Sequence, residues 1–554
     1  MAIKENDPLG RFWHLLLIER KEITSVYFYA ILSGLLQLSV PVGVQAIIGF
    51  ALGASMVTSI YVLIVIVVIG VLVVGLMQIN QMKIIEKIQQ RIFTRYAFAF
   101  TETLPNIDLR AADAVYLPEK VNRFFDTVNL QKGLAKLLLD IPTAAIQTVF
   151  GLLLLALYHP VFILFGLILV LILWLIFRLT GKYGLQTSLK ESSYKYALVG
   201  WLEEIARTVV SFKFHSGDNL SLHKTDERVT GYLQSRTAHF KVLLIQYKTL
   251  LAFKVIVTAV MLTAGTYLLI DQQINIGEFI AAEIVILSVI SASEKLIGSL
   301  DSVYDVITGL EKLSMVTESE REKDGTVEFQ PGNSGTAIEL HNVSFQYPDG
   351  KKVLQNVSFS VAPNSIVNIS GHQGAGKSTL IKLLSGVYNG FTGDILVNGI
   401  PIGNYKSHSL RQNIGIYLGL QGVFAGTVWE NITLGRKEIS FEKIIETAER
   451  AGLKDLLRLL PEGLETTIDP SGKRLPSHLI RKILLLRALI NCNRLLILEE
   501  PFPDDEASKN ILLNYLMELR KTTTIVLVSN ENNIIHQCDH GIHLIDGTVT
   551  SAQS

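Results

Sequence analysis

The 554-residue sequence is short of charge and of cysteine. Asp, Glu, Lys and Arg make up 18% of it, against about 25% in soluble domains. Its 50 basic and 50 acidic side chains cancel, so it lacks the cationic excess that marks a nucleic-acid binder. Two cysteines, Cys492 and Cys538, cannot build a disulfide framework and are expected as free thiols. No group of Cys and His has metal-ligand spacing. The first twenty residues carry Lys4, Arg11 and Arg20 but no small-residue site behind a short apolar core, so no cleavable signal peptide is expected. Hydrophobicity takes the place of charge: 49% of residues are apolar and the mean hydropathy is +0.37. That excludes a disordered chain and argues against a wholly soluble one.

The apolar residues are concentrated in the first half. No Asp, Glu, Lys or Arg occurs from Ile23 to Met82, nor from Ile141 to Phe177. Each run is too long for one span of about 20 residues and fits two. The breaks are expected near Leu52–Ser55 and at Tyr158-His159-Pro160, where proline suits a turn. A third apolar region, about 250–300, turns at Asp271–Gly277. Six spans follow, at roughly 23–52, 56–80, 136–158, 160–181, 250–271 and 277–300. The three short turns hold no Lys or Arg, whereas the long connections hold many, among them Lys83, Arg91, Arg110, Arg123, Lys190, Arg207 and Arg228. By the positive-inside rule the long connections and both termini are cytoplasmic. Apolar residues at helical spacing in Met82–Phe93 predict that the spans continue into the cytoplasm as helices. Gly10–Ile18, with Trp13, is expected as a short interfacial helix. Glu283 in the last span has two readings: a group lining a pathway, or a hydrated acid near the interface.

The second half is different. Glu318–Gly325 and Pro331–Gly335 read as a polar linker. The strand-like Ile366–Ser370 then runs into Gly371-His-Gln-Gly-Ala-Gly-Lys-Ser-Thr379, and Leu380–Leu384 suits a helix. Strand, glycine loop and helix are the context of a P-loop. Gly371, Gly374, Ala375 and Gly376 belong to the turn that curls backbone N–H groups toward phosphates at a helix N-terminus. Lys377 is placed to reach the β- and γ-phosphates, Ser378 to offer a hydroxyl to Mg²⁺, and Thr379 follows in the same loop. A second apolar strand, Arg494–Leu498, ends in Glu499-Glu500 and is expected to deliver carboxylates to the nucleotide.

Six spans with long helical extensions, followed by a P-loop domain, resemble an ATP-binding cassette (ABC) exporter half-transporter, most like those of bacterial protein or peptide secretion. The resemblance implies a multi-domain chain: an all-α six-helix transmembrane domain over 1–317, a linker over 318–336 and an α/β P-loop nucleotide-binding domain over 337–554. It implies a multi-pass protein of the plasma (inner) membrane, ATP and Mg²⁺ as cofactors, and a second half-transporter as partner, with each ATP site shared between two P-loop domains. Residue by residue, it places Tyr347 against adenine, Glu499 at the position of the Mg²⁺-site aspartate, Glu500 as the catalytic glutamate and Asn530 at the switch histidine. The loop glutamine falls on Gly419, with Gln421 two residues later. The signature segment falls on Leu475–Leu479, 24 residues before Glu499. Pro501–Asp505 does not match its loop. The turns coupling the two domains are expected near Leu104–Val115 and Phe212–Asn219.

The nucleotide-binding residues are thus mostly retained and the hydrolytic ones mostly altered. Glu499 is one methylene longer than aspartate, Asn530 cannot become cationic, and Pro476 has no N–H. The expected function is ATP-dependent export by one half of a dimeric transporter with weakened hydrolysis, paired with a different, complete half or with itself. The alternative is a nucleotide-sensing membrane protein without net transport.

Overall fold

The computed structural model describes residues 8–53, 57–113, 116–214, 219–419, 421–492, 494–503 and 505–553. The chain divides into two compact units, residues 1–105 with 116–319 and residues 106–115 with 320–554.

The first unit is built of helices: α1 (Pro8–Ile18), α2 (Arg20–Gln37), α3 (Ser39–Leu52), α4 (Val57–Thr103), α5 (Asp126–Tyr158), α6 (Val161–Arg207), α7 (Leu220–Ile270) and α8 (Ile276–Thr317), with short helical turns between them. Among the described residues six helical segments are long and apolar enough to cross a membrane. The expected break after Leu52 follows the end of α3, though Ala54 and Ser55 lie outside the described residues. At the second turn His159 is extended and Pro160 opens α6. The third turn is capped from both sides. Asn275 Oδ1 accepts from the Glu278 N–H at 2.8 Å, and Glu278 Oε2 accepts from the Asn275 N–H at 2.9 Å. This capping box gives Glu278 a local structural task. Glu283 stands half-buried on α8, and Glu294 pairs with Lys254 of α7 at 2.8 Å.

Two glycines set the packing of α5 on α8. A Cβ on Gly133 would meet Val306 Cγ2 at 2.6 Å, and one on Gly151 would meet Val289 Cγ2 at 2.5 Å. Small residues therefore let these two backbones approach closely, as in membrane helix pairs. Val62, Ile66 and Ile69 of α4 remain exposed, the face such a helix offers to lipid or another apolar partner. Buried and paired charges also occur in the extensions. Glu19 is buried and meets Arg95 at 2.8 Å and Arg91 at 3.2 Å. Arg11 of α1 forks onto Glu318, with contacts of 2.7 and 3.0 Å, and also reaches Glu311.

The second unit holds two main sheets, with strands β1 (Ile338–Gln346), β2 (Lys352–Val361), β3 (Ile366–Gly371), β4 (Thr392–Val397), β5 (Ile414–Tyr417), β6 (Leu495–Glu499), β7 (Thr524–Val528), β8 (His540–Ile545) and β9 (Thr548–Gln553). The antiparallel sheet runs β2-β1-β4 and ends on the short strand Ile400–Pro401. The larger sheet runs β9-β8-β3-β7-β6-β5, parallel except for β9. Every residue of β3 and β7 is buried, as expected of central strands in a parallel sheet covered on both faces. The helices that matter for the site are α9 (Lys377–Leu384) and α10 (Ser477–Ile490).

Two features differ from a linear division at residue 317. The segment from 106 groups with the second unit, where Ile107 bridges Arg321, the Asp108 N–H donates to Glu320 O at 3.0 Å, and the Glu322 N–H donates to Asn106 O at 3.0 Å. The stretch expected as a linker is also tied down. The Thr326 and Val327 N–H groups donate to Asn404 O at 3.0 and 2.9 Å, and Phe329 is buried. Residues 114–115 of the first expected coupling turn and 215–218 of the second lie outside the described residues.

Candidate functional site

Three neighbouring parallel strands, β3, β7 and β6, end at one edge of the larger sheet. Their C-terminal ends carry the glycine loop, Asn530 and the Glu499-Glu500 pair, the edge where open α/β sheets bind ligands. They open onto a cleft of ≈ 1100 Å³ lined by Tyr347, Gly374, Gly376, Lys377, Ser378, Thr379, Gly419, Gln421, Glu499, Glu500 and Asn530 among others. The sequence-predicted residues are thus brought together, with Gly371 and Ala375 just behind them in the loop.

The loop's shape requires glycine at its last turn. Gly376 has φ 101° as the N-cap of α9, and a Cβ there would meet Val353 O at 3.0 Å and Leu354 Cδ2 at 2.8 Å. Lys377 Nζ donates to Gly371 O at 2.6 Å and His372 O at 3.0 Å, so the ammonium is held over the loop. Ala375 is buried under the loop. Thr379 is buried and its hydroxyl lies 3.1 Å from the Tyr347 phenol oxygen. That bond fixes Tyr347 at the rim, edge-on to Phe345 with ring centroids 5.1 Å apart.

The acids are placed just as specifically. The Ser378 hydroxyl donates to Glu499 Oε1, and the Gly419 N–H donates to Glu499 Oε2 at 3.1 Å. A hydroxyl and a carboxylate side by side form an oxygen donor set suited to a hard divalent cation. Glu500, with φ 49°, sits in the left-handed region uncommon for a non-glycine residue, and its N–H donates to Val528 O at 2.9 Å. Such strain is held only where surrounding structure over-determines it, and it aims this carboxylate into the cleft. Asn530 Oδ1 accepts from the Gly371 N–H at 3.0 Å, which leaves its amide hydrogens as the free donors. Gln421 is folded back, its Oε1 accepting from the Leu418 N–H at 3.3 Å.

Sequence reasoning missed several lining residues. Lys382 lies four residues after Ser378 on α9, and Arg481 four after Ser477 on α10; helical spacing from either motif points to them. Tyr417 lines the same wall; burial raises its phenol above the usual value, with Arg481 opposing and Glu499 reinforcing that shift. Within Leu475–Leu479, Pro476 caps α10, Ser477 borders this chain's own cleft, and His478 faces an adjoining cavity of ≈ 340 Å³ with Glu500 and Phe502. Asp504 of the following loop lies outside the described residues.

Comparison with known proteins gives a consistent result. Residues 24–292 match the family described as "ABC transporter transmembrane region", and residues 354–503 match "ABC transporter". The alpha-hemolysin translocation ATP-binding protein HlyB of Escherichia coli O157:H7 is 31% identical over 335 residues, 58% of this chain and 47% of that protein. The cyclolysin secretion/processing ATP-binding protein CyaB of Bordetella pertussis is 27% identical over 331 residues, 59% of this chain and 46% of that protein. The chain spans about half the length of the curated relatives it matches. A solved structure of a bacterial Atm1-family ABC exporter with ATP bound aligns with a TM-score of 0.84, covering 97% of this chain and 95% of that one at 18% identity, a likeness of fold.

Proposed function

The chain belongs to the ABC transporters, with a transmembrane part and a nucleotide-binding part, and from that premise we propose that it is one half of a dimeric ATP-driven exporter. Its own site binds ATP well and hydrolyses it slowly. It sits in the plasma (inner) membrane, with both termini and the nucleotide-binding domain cytoplasmic. The observation that carries this reading is the single cleft that joins Lys377, Ser378, Glu499, Glu500 and Asn530.

In this reading Tyr347 stacks on adenine, the glycine loop and Lys377 hold the phosphates, and Ser378 with Glu499 holds Mg²⁺. The metal would neutralise phosphate charge during transfer. Glu500 orients and polarises the attacking water. Asn530 donates an amide hydrogen toward the γ-phosphate. Slow turnover follows from the departures: positioning and charge supply nearly all of phosphoryl-transfer catalysis, and misplacement by about 1 Å costs on the order of 10²-fold. Asn530 brings no positive charge, and the Pro476-Ser477-His478 stretch lacks the glycines that let a backbone close on phosphate. A different, catalytically complete partner would bring an intact signature segment to this chain's glycine loop. That site still uses Glu499 and Asn530, and the partner's loop still meets Leu475–Leu479, so hydrolysis by the assembly is slow or asymmetric.

The names of two relatives concern alpha-hemolysin translocation and cyclolysin secretion. They favour a peptide or protein as this chain's cargo. A nucleotide-sensing role without transport is the second reading, favoured by the contrast between retained binding residues and altered hydrolytic ones. Purifying the full chain from its own membranes separates the two. The exporter reading expects a second half-transporter to copurify and peptide cargo to raise ATP turnover in vesicles. Intact nucleotide binding with turnover indifferent to every cargo would support the sensor.

A further inference from the structure

Gly419 and Glu499 meet across the cleft, 80 residues apart in sequence. Nothing in the backbone demands glycine at 419: its φ lies outside the left-handed region, and an added Cβ would meet one atom within 4 Å, Glu499 Oε2, at 3.8 Å. A Cβ alone would sit in ordinary contact with that oxygen, so it is a longer side chain at 419 that would grow into the space Glu499 fills. Aspartate at 499 would end one methylene short of that oxygen's position. The same carboxylate also accepts from the Ser378 hydroxyl. Both of its oxygens are thus held, one by a side chain of the glycine loop and one by the backbone of the loop after β5.

We propose that Gly419 and Glu499 form one compensated metal-holding unit. Glycine leaves the room that the longer acid needs, and its N–H orients the Glu499 carboxylate beside Ser378 for a divalent cation. Gly419 acts here as a positioning residue, through Glu499. The proposal rests on the ATP-site reading above and gives two apparent losses, of a side chain at 419 and of the shorter acid at 499, a joint explanation. Carboxylates are the ligands a hard cation prefers, and groups that orient a ligand are typically worth 10–100-fold in metal affinity.

The test is a double-mutant cycle on the full chain in lipid, with Mn²⁺ as the metal probe read by its electron paramagnetic resonance in the presence of ATP. Wild type, Gly419→Gln, Glu499→Asp and the double variant are compared. Fluorescent-ATP binding in EDTA serves as the fold and site control. Each single variant is expected to weaken Mn²⁺ binding about tenfold. The double variant is expected to return to within about threefold of wild type, because the shorter acid vacates the space that the glutamine fills. Additive losses in the double variant, or no effect of Gly419→Gln, would overturn the compensation while leaving the ATP site standing. Absence of nucleotide binding by wild type both in EDTA and with Mn²⁺ present would overturn the ATP-site reading and this proposal with it.

Discussion

The Tyr388 phenol donates to both carboxylate oxygens of Asp113, at 2.7 and 2.9 Å, across 275 residues of sequence. Tyr388 also stacks on Phe345 and stands edge-on to Tyr347 at the cleft rim. The segment beginning at Asn106 is thereby joined to the aromatic cluster beside the candidate adenine position.

Removing the phenol tests that link. Burial, and then the Asp113 hydrogen bond, raise Tyr388 above the usual phenol value. A phenol raised in the folded state keeps its stabilisation below the unfolded value near 10 and loses it as pH climbs through the folded one. The contact is therefore intact throughout the neutral range. Tyr388→Phe is expected to cost about 1.4 kcal/mol locally. Amide exchange in residues 106–113 should then speed up by about tenfold at pH 7, with ATP affinity nearly unchanged. Unchanged exchange would show that the backbone pairing with Glu320–Glu322 alone holds the segment.

Asn530 leads to a second prediction. An amide does not titrate, so wild-type turnover should show no ionisation at this position between pH 6 and 8. Asn530→His can keep the acceptor role toward the Gly371 N–H while neutral, and becomes cationic below about pH 6.5. Turnover is expected to rise on the order of tenfold and to gain a titration in this range. Wild-type turnover with an unchanged pH profile would place residue 530 away from the reacting phosphate.

The thiols offer a check on the second unit's core. Cys492 and Cys538 are free and packed against it, and burial pushes both up to about 12. Raised thiols contribute stability that is present below the unfolded value near 8.5 and lost as pH rises toward 12. Alkylation by iodoacetamide at pH 8 should therefore be slow in the folded chain and fast after denaturation. Rapid labelling of the native protein would contradict this packing.

Most of the architecture was legible in sequence because it rests on local signals. Charge-free runs mark the spans, Pro160 and the polar Asp271–Gly277 stretch mark two turns, and the glycine loop between an apolar strand and a helix marks the nucleotide site. Contacts between distant segments carry no such mark. The pairing of Ile107 with Arg321, the anchoring of Thr326 and Val327 on Asn404, and the burial of Phe329 turn a polar stretch that reads as a linker into ordered structure. Lys382 and Arg481 were within reach of helical spacing. The Gly419–Glu499 contact was not, because each position alone reads as a simple loss.

In the proposed function this chain binds ATP through an intact loop and hydrolyses it weakly through altered catalytic positions. The most direct test measures ATP affinity and steady-state turnover of the purified chain in lipid, alongside Lys377→Ala and Glu500→Gln. The account predicts ATP binding that falls at least about tenfold in Lys377→Ala, from loss of a charged donor to phosphate. It predicts wild-type turnover below about 0.1 s⁻¹, some 10²-fold under the ~10 s⁻¹ of a typical enzyme, and lower still in Glu500→Gln. Turnover near 10 s⁻¹ by the chain alone, or ATP affinity indifferent to Lys377→Ala, would contradict it.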